Sequence, residues 1–183
     1  MSKAAVFFGT GYEEIEALTV VDILRRAGVE TLMVSIMEEQ SVTGSHSISV
    51  AMDALLPEVD FDSLDVLVLP GGMPGTKNLE ACEELMAQVD AFMEQNRIVA
   101  AICAAPSILG HRGFLKGRKA CSFPAFESHL EGAEVMDQPA VIDGNVVTGR
   151  GMGAAVPFAL AILEKLQGKD AAQAMAENIM YQA

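Results

Sequence analysis

Cys103 closes an apolar run, Ile98-Val99-Ala100-Ala101-Ile102, that reads as a short buried strand. Ala104-Ala105-Pro106-Ser107 after it reads as the opening of a helix, where proline is tolerated in the first turn. Ala101 and Ala105, two places on either side, are small enough for the tight strand-to-helix corner described for serine as G-x-S-x-G. At such a nucleophile elbow, backbone N–H groups and the helix dipole favour the thiolate, so the spacing predicts a lowered pKa for Cys103. That is the equipment of a carbonyl-attacking or peroxide-sensitive thiol. The competing reading is a packed core cysteine.

Glu16 is the candidate partner. It heads the row Glu16, Val20, Ile23, Leu24, Ala27, otherwise apolar, which faces a sheet at helical spacing. A carboxyl there is desolvated, its pKa rises, and it can stay protonated and donate to a nearby thiolate. The alternative is that Glu16 only flanks the helix start. Glu13 and Glu14 are expected to be solvated partners of the helix dipole. The Gly71-Gly72 turn offers an N–H to an oxyanion, with the Ala104 N–H as the second donor. His46, in Gly44-Ser45-His46-Ser47, is the histidine best placed to reach a pocket, although lone histidines are commonly structural. His111 follows the elbow helix and is expected at the surface. His129-Leu130-Glu131 matches the H-x-E of class I glutamine amidotransferases, which use Cys-His-Glu triads. It falls in a short helical segment after Pro124, not at a strand end, and reads as coincidental. Cys82 and Cys121 lack ligand spacing, so no metal site is expected. The glycine-rich turns fit neither G-x-G-x-x-G nor a P-loop, which argues against a nucleotide.

These residues need a scaffold, and the chain alternates strands with helices. Ala4–Gly9 is apolar throughout, as in a central parallel strand. Gly9-Thr10-Gly11 leads to a helix starting near Tyr12-Glu13-Glu14 and stopping at Arg25-Arg26-Ala27-Gly28, and Thr31–Ile36 completes a βαβ unit. Val42–Ser45 and Ser47–Val50 suggest a short ribbon. Asp65–Leu69 is a strand ending in Pro70-Gly71-Gly72-Met73-Pro74-Gly75, and a helix follows from Cys82 to Gln95. Arg118–Ser122 and Ala133–Met136 are weaker strands. Ala140–Thr148 reads as a hairpin around Asp143-Gly144. Gly149-Arg150-Gly151-Met152-Gly153 opens the helix Ala154–Gln167, and Ala171–Tyr181 is the last helix. The pattern is a doubly wound α/β fold, whose site lies beyond the carboxyl ends of the strands. Gly9–Gly11, Gly71–Gly75, Cys103 and Gly149–Gly153 are all such ends and should converge.

Composition narrows the function. One domain, 1–183, is the natural reading of the length. A net charge of −13 repels nucleic acid and anionic membrane surfaces. No apolar run reaches about 18 residues, so no membrane span is expected. Three cysteines and no signal-peptide layout point to a reducing, cytoplasmic setting.

Glu16, Leu69-Pro70-Gly71-Gly72, Ala101-Ile102-Cys103-Ala104-Ala105-Pro106 and Thr148-Gly149-Arg150-Gly151 together resemble the ThiJ/PfpI superfamily. More narrowly, the chain is similar to the branch of the parkinsonism-associated protein deglycase and bacterial YajL, and the likeness runs nearly end to end. The resemblance implies a flavodoxin-like three-layer sandwich, class I glutamine amidotransferase-like, and a homodimer with the cysteine pocket near its interface. It implies that Cys103 is the reactive cysteine, Glu16 its protonated partner, and Gly72 and Ala104 the backbone donors. The pocket around them would take in Gly71, Phe123, Arg150 and Gly151, with His46 as a further candidate. Activities of the superfamily imply cofactor-free handling of dicarbonyl or glycated substrates, with oxidative-stress sensing or chaperoning of client proteins as the alternative. The parkinsonism-associated member has a histidine where this chain has Phe123, and close relatives often have an arginine at His46. Peptidase-like members place a histidine directly after the cysteine, where this chain has Ala104.

Overall fold

The computed structural model describes residues 2–182. The chain opens with β1 (Lys3–Phe8), α1 (Glu14–Arg26) and β2 (Glu30–Ser35). A ribbon of β3 (Ser41–Thr43) and β4 (Ser49–Ala51) precedes the two-residue β5 (Ala54–Leu55) and then β6 (Val66–Leu69). Next come α2 (Gly75–Ala81), α3 (Glu83–Glu94), β7 (Ile98–Ile102) and α4 (Pro106–His111). The remainder holds β8 (Lys119–Ala120), β9 (Glu134–Val135), β10 (Ala140–Asp143), β11 (Val146–Gly149), α5 (Ala155–Gln167) and α6 (Lys169–Asn178).

Seven strands form one sheet in the order β10-β11-β7-β6-β1-β2-β5. All neighbours are parallel except β10 and β11, joined by the Gly144-Asn145 turn with Gly144 at φ +59°. β1 lies in the interior of the sheet, and Ala4 to Phe8 are wholly buried, as its unbroken apolar sequence requires. The strand's period of two then builds two cores. Ala4, Val6 and Phe8 pack with Ala17, Val20 and Leu24 of α1 and Phe158, Ile162 and Leu163 of α5. Ala5 and Phe7, on the opposite face, pack with Leu79, Leu85, Val89, Phe92 and Ile108 from α2, α3 and α4. The result is the expected three-layer sandwich.

The structure departs from the sequence reading at the small elements. α2 follows Pro74 at once and spans seven residues, of which only Gly75, Thr76 and Leu79 are buried, too few to show a helical period. β5 pairs with β2 over two residues and carries no alternation at all. β8 and β9 pair with each other in a separate sheet. α6 begins at Lys169, two residues before the expected start.

Because β1, β6, β7 and β11 are parallel neighbours, their carboxyl ends lie along one edge, and backbone contacts tie the turns beyond them. The Glu13 N–H donates to the Gly71 carbonyl at 2.9 Å, and the Cys103 N–H to the Gly149 carbonyl at 2.9 Å. No helix among the described residues is long and apolar enough to cross a membrane.

Candidate functional site

Cys103 stands at the corner between β7 and α4 with φ +65°, a left-handed conformation unfavourable for a residue with a Cβ. The corner is held from both sides: the Cys103 N–H donates to Gly149, and the Cys103 carbonyl accepts from the Phe123 N–H at 2.9 Å. A left-handed cysteine locked in this way is the strained elbow that the small flanking alanines suggested. The backbone of Ala104 and Gly72 lies close enough to its sulfur to favour the thiolate.

Glu16 comes from the first turn of α1, on the face that packs against the sheet, and is 1% exposed. The Gly71 N–H donates to its Oε2 at 2.9 Å. Its contact with the Cys103 thiol is the carboxyl's other favourable polar interaction. That contact is too loose to give Oε1 a hydrogen-bond partner of ordinary geometry among the described residues. Burial pushes Glu16 up to about 7, against the Cys103 contact and the Gly71 hydrogen bond, with the Glu13 charge adding to the rise. Gly71 makes the juxtaposition possible: a Cβ there would sit 2.5 Å from Glu16 Oε2 and 2.6 Å from Cys103 Cβ.

The expected fall in the thiol pKa is corrected. Burial first, then the Glu16 charge and its hydrogen bond, push Cys103 up to about 12, outweighing the donors Ala104 and Gly72. The sequence argument placed the cysteine at a helix N-terminus, but α4 starts three residues later, at Pro106, and is only six residues long. Burial therefore wins over the dipole. Cys103 and Glu16 form one coupled unit, in which a carboxyl titrating near neutrality can take the thiol proton.

Glu14 is a second correction. It is 4% exposed, not solvated. Its Oε1 accepts from the His46 N–H at 2.7 Å, and its Oε2 lies 3.0 Å from His46 Nδ1 and 3.2 Å from Ser45 Oγ. Burial raises its pKa, but the hydrogen bonds from His46, from its own backbone and from Ser45 outweigh this and bring it down to about 2. The structure therefore brings His46 to Glu14, with Glu13 Oε2 at 3.7 Å, and its ring is not hydrogen-bonded to Cys103 or Glu16. The sequence missed this because Glu14 is buried by the β3–β4 ribbon, not by the apolar face of its own helix.

Phe123, Arg150 and Gly151 do line one cleft, of about 570 Å³, together with Pro124, Pro139 and Met152. The cleft adjoins the thiol, since a Cβ on Gly151 would lie 4.0 Å from Cys103 Sγ and 3.5 Å from the Phe123 ring. Arg150 pairs with Asp137 and reaches Glu127 at 4.0 Å, so its charge is spent at the rim. His46 is not among the lining residues, and Gly71 lies beneath the thiol, against Glu16. The contributions of Asp137, Gln138 and Pro139 escaped the sequence reading because they precede a hairpin and carry no motif.

The profile of the DJ-1/PfpI family matches residues 2–165. The chain belongs to the DJ-1/PfpI family. Protein DJ-1 homolog B of Arabidopsis thaliana is 36% identical over 161 residues, which is 87% of this chain but 37% of that protein. The chain thus spans less than half of that relative's length. The glutathione-independent glyoxalase DJR-1.2 of Caenorhabditis elegans is 30% identical over 159 residues, 86% of this chain and 84% of that one. The structure of oxidized Toxoplasma gondii DJ-1 superposes with a TM-score of 0.95 at 32% identity, covering all of both chains. The fold and the order of its elements are therefore those of the family.

Proposed function

We propose that this chain handles reactive dicarbonyls in the manner of a glyoxalase or deglycase, with Cys103 as nucleophile and Glu16 as proton carrier. The observation that carries the reading is the buried Glu16 carboxyl, raised to about 7, held against the Cys103 thiol. Glu16 accepts the thiol proton as sulfur adds to the aldehyde carbon of a 2-oxoaldehyde. The Gly72 and Ala104 backbone groups, which favour negative charge at the sulfur, stabilise the resulting oxyanion. Glu16 returns a proton to that oxygen, giving a hemithioacetal. It then takes the proton on the former aldehyde carbon and delivers one to the neighbouring carbon as the enediol collapses. Water cleaves the 2-hydroxyacyl thioester, releasing the hydroxy acid and restoring the thiol. From methylglyoxal and one water the product is lactate. For an early glycation adduct, a hemiaminal, the C–S bond forms as the C–N bond breaks, Glu16 passes the thiol proton to the departing amine, and the hemithioacetal that results follows the same course. Only protons and water move, so the scheme calls on no cofactor. The glyoxalase name of the C. elegans relative supports this class of chemistry. The test is lactate formation from methylglyoxal without glutathione: turnover by the wild type, abolished by Cys103→Ser and reduced at least a hundredfold by Glu16→Gln.

A second reading rests on the same donors. If peroxide oxidises Cys103 to the sulfinate, its oxygens can accept from Gly72, Ala104 and a protonated Glu16, whose Oε1 is otherwise unpartnered. The chain would then act as a stress sensor or redox-regulated chaperone. Protection of cells with no measurable turnover favours this reading.

The proposed assembly is a homodimer. Ile15 on α1 is 50% exposed and Ile48 in the β3–β4 turn is 53% exposed. The Glu14–His46 contacts bring these two elements together, so both apolar side chains belong to one neighbourhood suited to a second copy.

A further inference from the structure

The cleft beside Cys103 is larger and less polar than methylglyoxal requires. Methylglyoxal is a three-carbon compound, yet the cleft measures about 570 Å³, within the range that takes a drug-sized ligand. Two large apolar side chains stand half-exposed on it, Phe123 at 48% and Met152 at 51%. Pro124, Pro139 and Ala154 add to the apolar lining. An exposed apolar patch beside a reactive group marks a ligand groove.

Arg150 brings a cation to the cleft, but its charge is spent. It pairs with Asp137, and Glu127 lies 4.0 Å from it. A substrate carboxylate or phosphate would have to displace Asp137 and then sit among apolar side chains. The net charge of −13 opposes an anion further. An uncharged apolar group meets neither cost.

Gly151 leaves the way open from the thiol to the cleft. Its φ is 162°, extended backbone that any residue adopts, so its conformation does not call for glycine. What the missing side chain leaves is space: a Cβ there would stand 4.0 Å from Cys103 Sγ and 3.5 Å from the Phe123 ring. Two residues on, a Cβ on Gly153 would meet nothing within 4 Å. A carbonyl carbon within attacking reach of the sulfur, about 3–3.5 Å, can run its substituent past Gly151 into the cleft.

We propose that the cleft is a subsite for the substituent of 2-oxoaldehydes that carry a bulky, uncharged apolar group, with Phe123 and Met152 as its specificity-determining residues. This subsite rests on the dicarbonyl reading of Cys103 and Glu16 and names the class of substrate. The aldehyde meets the thiol as before. The apolar chain leaves water for the Phe123 ring and the Met152 thioether, which is flexible enough to follow chains of different length. The balance of the reaction is unchanged: one 2-oxoaldehyde and one water give one 2-hydroxy acid. Each methylene that enters the cleft should raise kcat/KM about three- to fourfold, chiefly through KM.

The test is glutathione-free turnover of methylglyoxal, propylglyoxal and pentylglyoxal by the full chain, read as the 2-hydroxy acid formed. From methyl to pentyl, kcat/KM should climb at least tenfold. Phe123→Ser and Met152→Ser should each cut the pentyl-to-methyl ratio at least threefold. The ratio is taken within one protein, so it does not depend on how much of a variant has folded, and if one variant is wholly inactive the other decides. Turnover of methylglyoxal with a flat or falling series overturns the subsite and leaves the dicarbonyl reading standing. A rising series that survives the serine changes overturns the assignment to Phe123 and Met152. No turnover of any of the three overturns the dicarbonyl reading and the subsite with it.

Discussion

The Gly71 N–H donates to Glu16 Oε2 at 2.9 Å, and the missing Gly71 side chain is what lets that carboxyl reach the Cys103 thiol. A Cβ at Gly71 would crowd both the carboxyl oxygen and the cysteine Cβ. Gly71→Ala should therefore separate the pair and destabilise the fold by about 1–3 kcal/mol, the usual cost of overpacking. Denaturant unfolding measures the second effect. Alkylation of Cys103 at neutral pH, expected to slow at least tenfold, measures the first.

Glu16 also leaves a mark on stability. Its folded pKa, about 7, lies above the 4.5 of a glutamate in an open chain. The native state thus holds a proton that the unfolded chain has lost between those values. Stability from this group is complete below about 4.5 and is lost as pH rises to about 7, by about 3 kcal/mol in all. Unfolding free energy of the wild type should fall over that window relative to Glu16→Gln, whose amide does not titrate. Parallel profiles for the two proteins would remove Glu16 as the raised carboxyl.

Glu14 and His46 act in the opposite sense to one another. Glu14 is lowered, so its contribution is present above its unfolded value and fades as pH falls toward about 2. His46 is raised, by its hydrogen bond to Glu14 and then by the charges of Glu13 and Glu14. Its contribution is present below its unfolded value and fades as pH rises through the folded one. His46→Ala should lower the thermal midpoint, and by less as pH rises and the wild-type imidazole gives up its charge.

Gly151 has extended backbone, φ 162°, so a side chain can be added without strain. Gly151→Val should fold normally and narrow the path from the cleft to Cys103. Alkylation by a bulky maleimide should slow more than alkylation by iodoacetamide. Equal slowing of both would place the approach to the thiol elsewhere.

The exposed isoleucines test the assembly. Ile15→Ser with Ile48→Ser should shift the sedimenting species from dimer to monomer while leaving the circular dichroism spectrum unchanged. A wild type that sediments as a monomer at micromolar concentration would dispose of the dimer.

The central strands and the Glu16–Cys103 pair were legible because each is written locally. A parallel interior strand is apolar at every position, and Glu16 stands out as the one charge in an apolar helical row. What escaped is set by tertiary packing. Glu14 is buried by a ribbon about thirty residues further along, and its partner His46 gave no local sign of it. The Cys103 pKa was misjudged for the same reason, since residue order shows the helix after the thiol but not the depth at which the thiol is buried. α2 and β5 are too short for any period to register.

The account turns on whether Glu16 governs the reactivity of Cys103, and the alkylation rate of Cys103 against pH measures this directly in wild type and Glu16→Gln. The expected wild-type profile rises through an inflection near 7, where Glu16 becomes the carboxylate that takes the thiol proton. In Glu16→Gln that inflection should vanish. A single thiol titration should remain, lying below the value of about 12 because the Glu16 charge is gone. Identical profiles in the two proteins would contradict the account and leave Cys103 a packed core cysteine.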